Sequence, residues 1–211
     1  MELILAEKPS AARNFAKALG GKTGNYAGTE YKITNLRGHV MGLLPPDKQV
    51  PTEKVEFYKS WDLENLPWNL NDFAWKKGIL SGCKDIISGL KDELKEADCV
   101  VIATDVDPSG EGELLAWEAL EKCGWRGPTK RMYFADEAPA SVQKAFRERK
   151  TLPSMDKDGD YVKAVVRERW DLASMQFTRA ATLVARKKGF RTVVRQGRLK
   201  SVMIKLTGDQ L

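Results

Sequence analysis

Histidine occurs once in the 211 residues and cysteine three times. Cys83, Cys99 and Cys123 are too widely spaced to make the paired ligand pattern of a structural zinc site. Their odd number closes no disulfide framework, so the reading is structural thiols in a reducing, cytoplasmic setting. No apolar run approaches the ~20 residues that a membrane-spanning helix needs, and no membrane partner is expected. The chain enters Glu2-Leu-Ile-Leu-Ala-Glu7 without a basic segment, an apolar leader or a cleavage site, so no secretory signal is legible. Internal repeats and low-complexity tracts are missing. A P-loop is missing too. Gly21-Lys22-Thr23 has the ending of one, but the first glycine of that motif would fall on Ala16, inside a helical pattern rather than after a strand. A P-loop ATPase is thereby excluded.

What is present is an uneven charge. The net +6 does not spread along the chain: residues 1–150 carry −1 and residues 151–211 carry +7. A basic block of that kind suits a polyanion, most simply nucleic acid.

Periodicity gives the organisation. Glu2 to Ala6 reads as a buried strand. Pro9 stands where the first turn of a helix tolerates proline, and the helical spacing of Ser10 to Leu19 stops at Gly20-Gly21. Tyr31 to Leu36 alternates as a half-buried strand does. From Arg37 to Ala74, with four prolines, little regular structure is expected. An amphipathic helix is predicted over 79–97, a strand over 99–104, a helix over 112–123, a strand over 131–134 and a helix over 139–149. Strands alternating with helices make an α/β fold with a sheet that is parallel at its centre. Thr151 to Gly159 reads as a linker, followed by long helices from Tyr161 to Lys188 and from Gly197 to Leu206. The expected domains are therefore 1–152, an α/β domain, and 153–211, the start of a helical one.

The chemistry concentrates in Cys99-Val-Val-Ile-Ala-Thr-Asp105-Val-Asp107-Pro-Ser-Gly-Glu111-Gly-Glu113. A buried-type strand delivers four carboxylates into one short loop at the entry of a helix. Carboxylates crowded in this way suit a hard divalent cation such as Mg²⁺, which takes oxygen ligands. Ligands of parallel sheets bind beyond the carboxyl ends of the strands, so Glu7 and Asp105, each at such an end, can meet in one site.

Glu7-Lys8-Pro9-Ser10, then Asp105-x-Asp107 and Glu111-Gly-Glu113, resemble the Toprim domain of type IA DNA topoisomerases, and most of all the topoisomerase III-like branch of bacteria, plasmids and phages. Further segments follow in the family's order: Arg37-Gly-His39-Val, Phe134-Ala-Asp-Glu137-Ala-Pro, Arg169-Trp-Asp171 to Thr178-Arg179-Ala, and Gln196-Gly197-Arg198-Leu-Lys200-Ser201. The family usually writes Asp-x-Asp-Arg-Glu-Gly-Glu, whereas Pro108-Ser109-Gly110 replaces the arginine here. Read as an insertion, this makes Glu111 the third acidic position and lets Glu-Gly-Glu-Leu-Leu-Ala-Trp align through the helix entry. Read without a gap, the third position falls on Ser109.

The resemblance implies a Toprim, Rossmann-like sheet with flanking helices, followed by a partial α-helical domain, in an enzyme of the isomerase class. It implies Glu7 and Lys8 as catalytic groups, with Glu7 serving the 3′-oxygen as acid and base. Asp105, Asp107 and Glu111 become Mg²⁺ ligands, with Glu113 and His39 as further possible site residues. Arg169, Arg179, Arg195, Arg198 and Lys200 become contacts to DNA, expected to be single-stranded. Crowding among the acids is expected to raise the Glu7 pKa. None of Tyr26, Tyr31, Tyr58, Tyr133 and Tyr161 stands in the family's nucleophile context. The strand-cleaving tyrosine is therefore expected on further topoisomerase domains, and this chain alone is expected not to cleave. Two other functions suit the same residues: a stand-alone Toprim nuclease in which metal-activated water attacks, and a non-catalytic single-strand-binding module.

Overall fold

The computed structural model describes residues 1–210, the side chain of Arg198 excepted. The elements in chain order are β1 (Glu2–Ala6), α1 (Pro9–Leu19), β2 (Thr23–Tyr26), β3 (Thr29–Asn35), β4 (Met41–Leu43), α2 (Val55–Lys59), β5 (Lys77–Ile79) and α3 (Lys84–Glu93). They continue with β6 (Cys99–Ala103), α4 (Glu111–Cys123), β7 (Thr129–Arg131), α5 (Pro139–Arg147), β8 (Lys150–Thr151), α6 (Gly159–Lys187) and α7 (Arg198–Gly208). The chain packs as two units, one of residues 1–42 and 78–167, the other of residues 43–77 and 168–211.

The first unit is an α/β fold. Its six-stranded sheet runs β2-β3-β1-β6-β7-β8. The central pairs β3–β1, β1–β6 and β6–β7 are parallel, and the edge pairs β2–β3 and β7–β8 are antiparallel. β1 and β6 are buried along their whole length, as expected of strands covered on both faces. On one face α1 and α5 cover Ile4, Ile33 and Val101 with Phe15, Val142 and Phe146. On the other, α3 and α4 cover Leu3, Val100 and Ile102 with Ile87, Leu90, Leu115 and Leu120. From β1 the chain winds outward to β3, and from β6 it winds the other way to β7, so the order reverses between β1 and β6. Crevices at such reversals are where α/β sheets bind ligands. Ala6 lies opposite Ala103, which brings the two strands to an end at the same level.

The second unit is helical and irregular. Its core gathers Val50, Tyr58, Trp68 and Phe73 around Leu172 of α6. The fully buried Gln49 acts as a staple: its amide donates to the carbonyls of Leu44 (2.7 Å) and Lys76 (2.9 Å) and accepts from the Lys76 N–H (2.6 Å). No helix among the described residues is long and apolar enough to cross a membrane.

Several boundaries differ from the sequence reading. The helix expected from residue 79 begins at Lys84, because Ile79 closes β5 and Gly82 turns with φ at +76°. β7 ends at Arg131 rather than beginning there. Packing divides the chain inside α6, and residues 43–77 group with those from 168 onward. The reason is that apolar anchors in that loop-rich stretch, Tyr58, Trp68 and Phe73, share a core with Leu172.

Candidate functional site at the ends of β1 and β6

The parallel pairing of β1 with β6 sets Glu7 and Lys8 beside Asp105. The Asp105 amide donates to Glu7 Oε2 at 3.2 Å across 98 residues of sequence, and Lys8 Nζ lies 3.4 Å from the Asp105 carboxylate. Burial pushes the Glu7 carboxyl above the ordinary glutamate value. The Asp105 amide opposes this and the neighbouring Asp105 charge reinforces it. The direction is the one expected, but burial rather than crowding is its first cause. Lys8 is raised as well, chiefly by the Asp105 charge.

Pro108-Ser109-Gly110 folds as a tight loop before α4. The Ser109 amide donates to Asp107 Oδ1 at 2.7 Å, the Ser109 hydroxyl donates to the same oxygen, and the Gly112 amide reaches Oδ2 at 3.4 Å. Burial raises the Asp107 carboxyl, yet these donors outweigh it and hold it below the usual aspartate range. Both loop glycines are required. A Cβ on Gly110, whose φ is +75°, would stand 2.2 Å from the Asp160 carbonyl oxygen, and one on Gly112 would stand 2.1 Å from that of Asp105.

Glu111 opens α4. Its Oε1 meets His39 Nε2 at 2.8 Å and its Oε2 meets the Arg167 guanidinium at 3.1 Å. The His39 bond, ahead of Arg167, keeps the Glu111 carboxyl below the glutamate range although burial opposes this. His39 follows a turn at Gly38 (φ +78°), whose amide donates to the Glu7 carbonyl at 2.9 Å.

The structure thus brings Glu7, Lys8, His39, Asp105, Asp107 and Glu111 to one end of the sheet. It does not group the acids around a common point: among the described residues, no three His, Cys, Asp or Glu side chains are arranged to hold a metal ion. Each carboxylate has an in-chain partner instead. As a donor set they still suit Mg²⁺, being oxygen atoms only, on a loop at the reversal point of the sheet.

Two sequence-level assignments change. Glu113, a possible site residue, is 3% exposed and faces the interior, where Arg131 Nε donates to it at 2.6 Å. Arg131 is the functional-site residue that sequence reasoning missed. Fully buried, it also donates to the carbonyls of Thr104 (2.7 Å) and Asp105 (3.1 Å), fixing the strand end that carries the acids. An arginine directly ahead of the apolar Met132-Tyr-Phe134 was the available signal, since buried charges require partners.

Arg179, expected to meet DNA, is buried in the second unit. It donates to the carbonyls of Tyr58 (2.7 Å) and Ser60 (3.2 Å), and its guanidinium lies 4.7 Å from the Trp68 ring centre and 5.3 Å from that of Trp61. Desolvation lowers its pKa. With its faces and one terminal nitrogen so engaged, it braces the unit and offers little to a phosphate. Arg169, 5.1 Å from the Trp75 ring centre, is exposed, as are Arg195 and Lys200. The Arg198 side chain lies outside the described residues.

Residues 2–136 match the Toprim domain. The chain is 30% identical over 151 residues to DNA topoisomerase 3 of Staphylococcus epidermidis, a match covering 70% of this chain and 20% of that protein. It is 30% identical over 184 residues to DNA topoisomerase 3 of Bacillus subtilis, covering 85% of this chain and 24% of that protein. The matched region therefore spans a quarter or less of these curated relatives. Topoisomerase I of Thermotoga maritima aligns in structure at 23% identity and a TM-score of 0.49, over 71% of this chain and 21% of that one, a likeness too slight to equate the folds. The chain belongs to the Toprim family, with the N-terminal region of type IA topoisomerases as its counterpart.

Proposed function

We propose that this chain supplies the acid–base and cation-binding half of a type IA topoisomerase active site, acting on single-stranded DNA in the cytoplasm. The observation that carries the reading is the meeting of Glu7 and Lys8 with Asp105, at 3.2 and 3.4 Å, across the β1–β6 pair. In-line displacement at a phosphodiester needs an attacking oxygen, a proton for the leaving oxygen and compensation of phosphate charge. Glu7, raised by burial, retains more of its acid form near neutral pH than an ordinary glutamate. It gives its proton to the departing 3′-oxygen and recovers it when the strand is rejoined. Lys8, drawn from Asp105, contacts the scissile phosphate.

Asp105, Asp107 and Glu111 would hold Mg²⁺, which when bound offsets phosphate charge and orients the 3′ end. The nucleophile is a tyrosine outside residues 1–211, on partner topoisomerase domains. Arg169, Arg195 and Lys200 contact the DNA backbone; Arg179 is left out of that set because it is buried.

The test is incubation of the chain with negatively supercoiled plasmid and Mg²⁺, alongside binding of labelled oligothymidylate. Neither relaxation nor nicking is expected, and binding should weaken steeply with salt. Robust relaxation would refute the missing nucleophile. Nicks lost in Asp105→Asn and Asp107→Asn would favour the metal-dependent nuclease. Binding indifferent to Mg²⁺ and to those carboxylates would favour a passive single-strand module.

A further inference from the structure

Glu111 is held between two cationic or cation-capable groups delivered from different parts of the first unit, and that arrangement has a consequence for the divalent cation. His39 comes from the turn after β3 and Arg167 from the third turn of α6. The base of α6 is fixed against the acidic loop. Asp158 caps its first turn through the Asp160 amide (3.1 Å) and accepts the Trp117 indole N–H of α4 (2.8 Å), while Gly110 packs directly on the Asp160 carbonyl. Arg167 is therefore aimed at Glu111 by a rigid support. Even so, the contact is open to solvent: the Arg167 side chain is 33% exposed and that of Glu111 42%.

Charge decides what that contact does. The carboxyl groups of Glu7, Asp105, Asp107 and Glu111 outnumber the fixed cations beside them, Lys8 and Arg167, so this end of the sheet suits a cation better than an anion. With Arg167 and His39 on the two oxygens of Glu111, no three acids among the described residues are grouped to hold a metal ion. A guanidinium fork binds phosphate as well as it binds carboxylate, through two parallel hydrogen bonds, and is weakly hydrated, so it exchanges readily between the two.

We propose that Arg167 is shared between Glu111 and a backbone phosphate of the nucleic acid. With no strand bound it holds Glu111 off the cation. With a strand bound it passes to the phosphate and frees Glu111 to join Asp105 and Asp107. Divalent cation and polynucleotide then bind with positive coupling, and linkage requires each to tighten the other equally. This inference rests on the cation-binding reading above and adds to it the residue through which cation and strand communicate.

The experiment is a Mn²⁺ titration of the full chain by electron paramagnetic resonance, with and without saturating oligothymidylate. In the parent, the oligonucleotide should tighten Mn²⁺ binding by roughly fivefold or more, the lower end of ordinary allosteric coupling. Arg167→Gln should bind Mn²⁺ more tightly than the parent without DNA and should lose the DNA-induced gain. Adding Glu111→Gln to Arg167→Gln should remove the extra affinity, and the oligonucleotide titrated without the chain reports the Mn²⁺ it holds by itself. Arg167→Lys, checked with the others for native circular dichroism, should keep a weakened coupling. Coupling in Arg167→Gln equal to the parent's, or weaker Mn²⁺ binding without DNA, would overturn the proposal. Mn²⁺ binding lost in Asp107→Asn while the parent shows no coupling sinks the sharing alone. Mn²⁺ binding unaltered by Asp105→Asn and Asp107→Asn sinks the cation reading and the sharing with it.

Discussion

Replacing Arg131 by methionine removes a fully buried cation from the sheet while leaving its volume nearly filled. Arg131 is fully buried and its partner Glu113 is 3% exposed, so the substitution strands a carboxylate that solvent cannot reach. Breaking a buried ion pair by removing one partner costs about 3–5 kcal/mol. The Thr104 carbonyl, bonded at 2.7 Å, is orphaned as well, at about 1–3 kcal/mol. The Asp105 carbonyl, bonded at 3.1 Å, is only part-buried, so water relieves it. These contributions overlap, and a net loss of about 4–6 kcal/mol is expected, against a total of about 5–15 kcal/mol for a typical domain. Urea unfolding by circular dichroism should show it, with hydrogen exchange of the β6 amides reporting on the first unit by itself. Removing both charges, Arg131→Met with Glu113→Leu, should recover at least about 2 kcal/mol, because an apolar pair of similar volume often replaces a buried ion pair without loss. A single-variant loss below about 1 kcal/mol would show that Arg131 does not stabilise the buried pair, as would a double variant no more stable than the single one.

Gly112→Ala would drive a methyl group to 2.1 Å from the Asp105 carbonyl, so the acidic loop must shift; Mn²⁺ affinity should fall at least severalfold while α4 keeps its circular dichroism signal. Glu2, bonded at 2.6 Å to both Lys130 and Arg149, has its pKa lowered: burial acts upward, but the two cations prevail. A lowered carboxylate contributes stability that is present above its unfolded pKa and lost as pH falls through the folded one. Glu2→Gln should therefore be less stable than the parent at neutral pH, with the gap closing below the ordinary glutamate range in thermal melts at stepped pH. Arg179→Ala should destabilise the second unit by about 2–4 kcal/mol, from two lost bonds to carbonyls and its contacts with Trp61 and Trp68. Lys200→Ala should leave melting unchanged and reduce only the salt-dependent binding of oligothymidylate.

The elements that sequence reasoning placed well are those whose signals are local. Pro9 at the first helical position and Gly20, with φ +98°, bracket α1 as expected, and the unbroken apolar runs of β1 and β6 identify the central strands. The short edge strands β2 and β8 depend on partners elsewhere in the chain and carry no periodicity of their own. The second unit was hidden for the same reason: Tyr58, Trp68 and Phe73 form a core only with Leu172, more than a hundred residues on. The meeting of Glu7 with Asp105 was legible because both stand at the carboxyl ends of strands read as central and parallel. What each acid touches was not legible, because Arg167, His39 and Ser109 reach them through the fold. The surroundings of Arg179 were not legible either, because a basic residue in a basic tail gives no sign that tryptophans enclose it.

Whether the loop after β6 holds a divalent cation is decided by direct Mn²⁺ binding to the chain without DNA. One Mn²⁺ per chain is expected, weakened at least about tenfold by Asp105→Asn and by Asp107→Asn, a loss of roughly 1.4 kcal/mol or more. Binding of equal strength in the parent and in both variants would contradict it, and so would no binding at all.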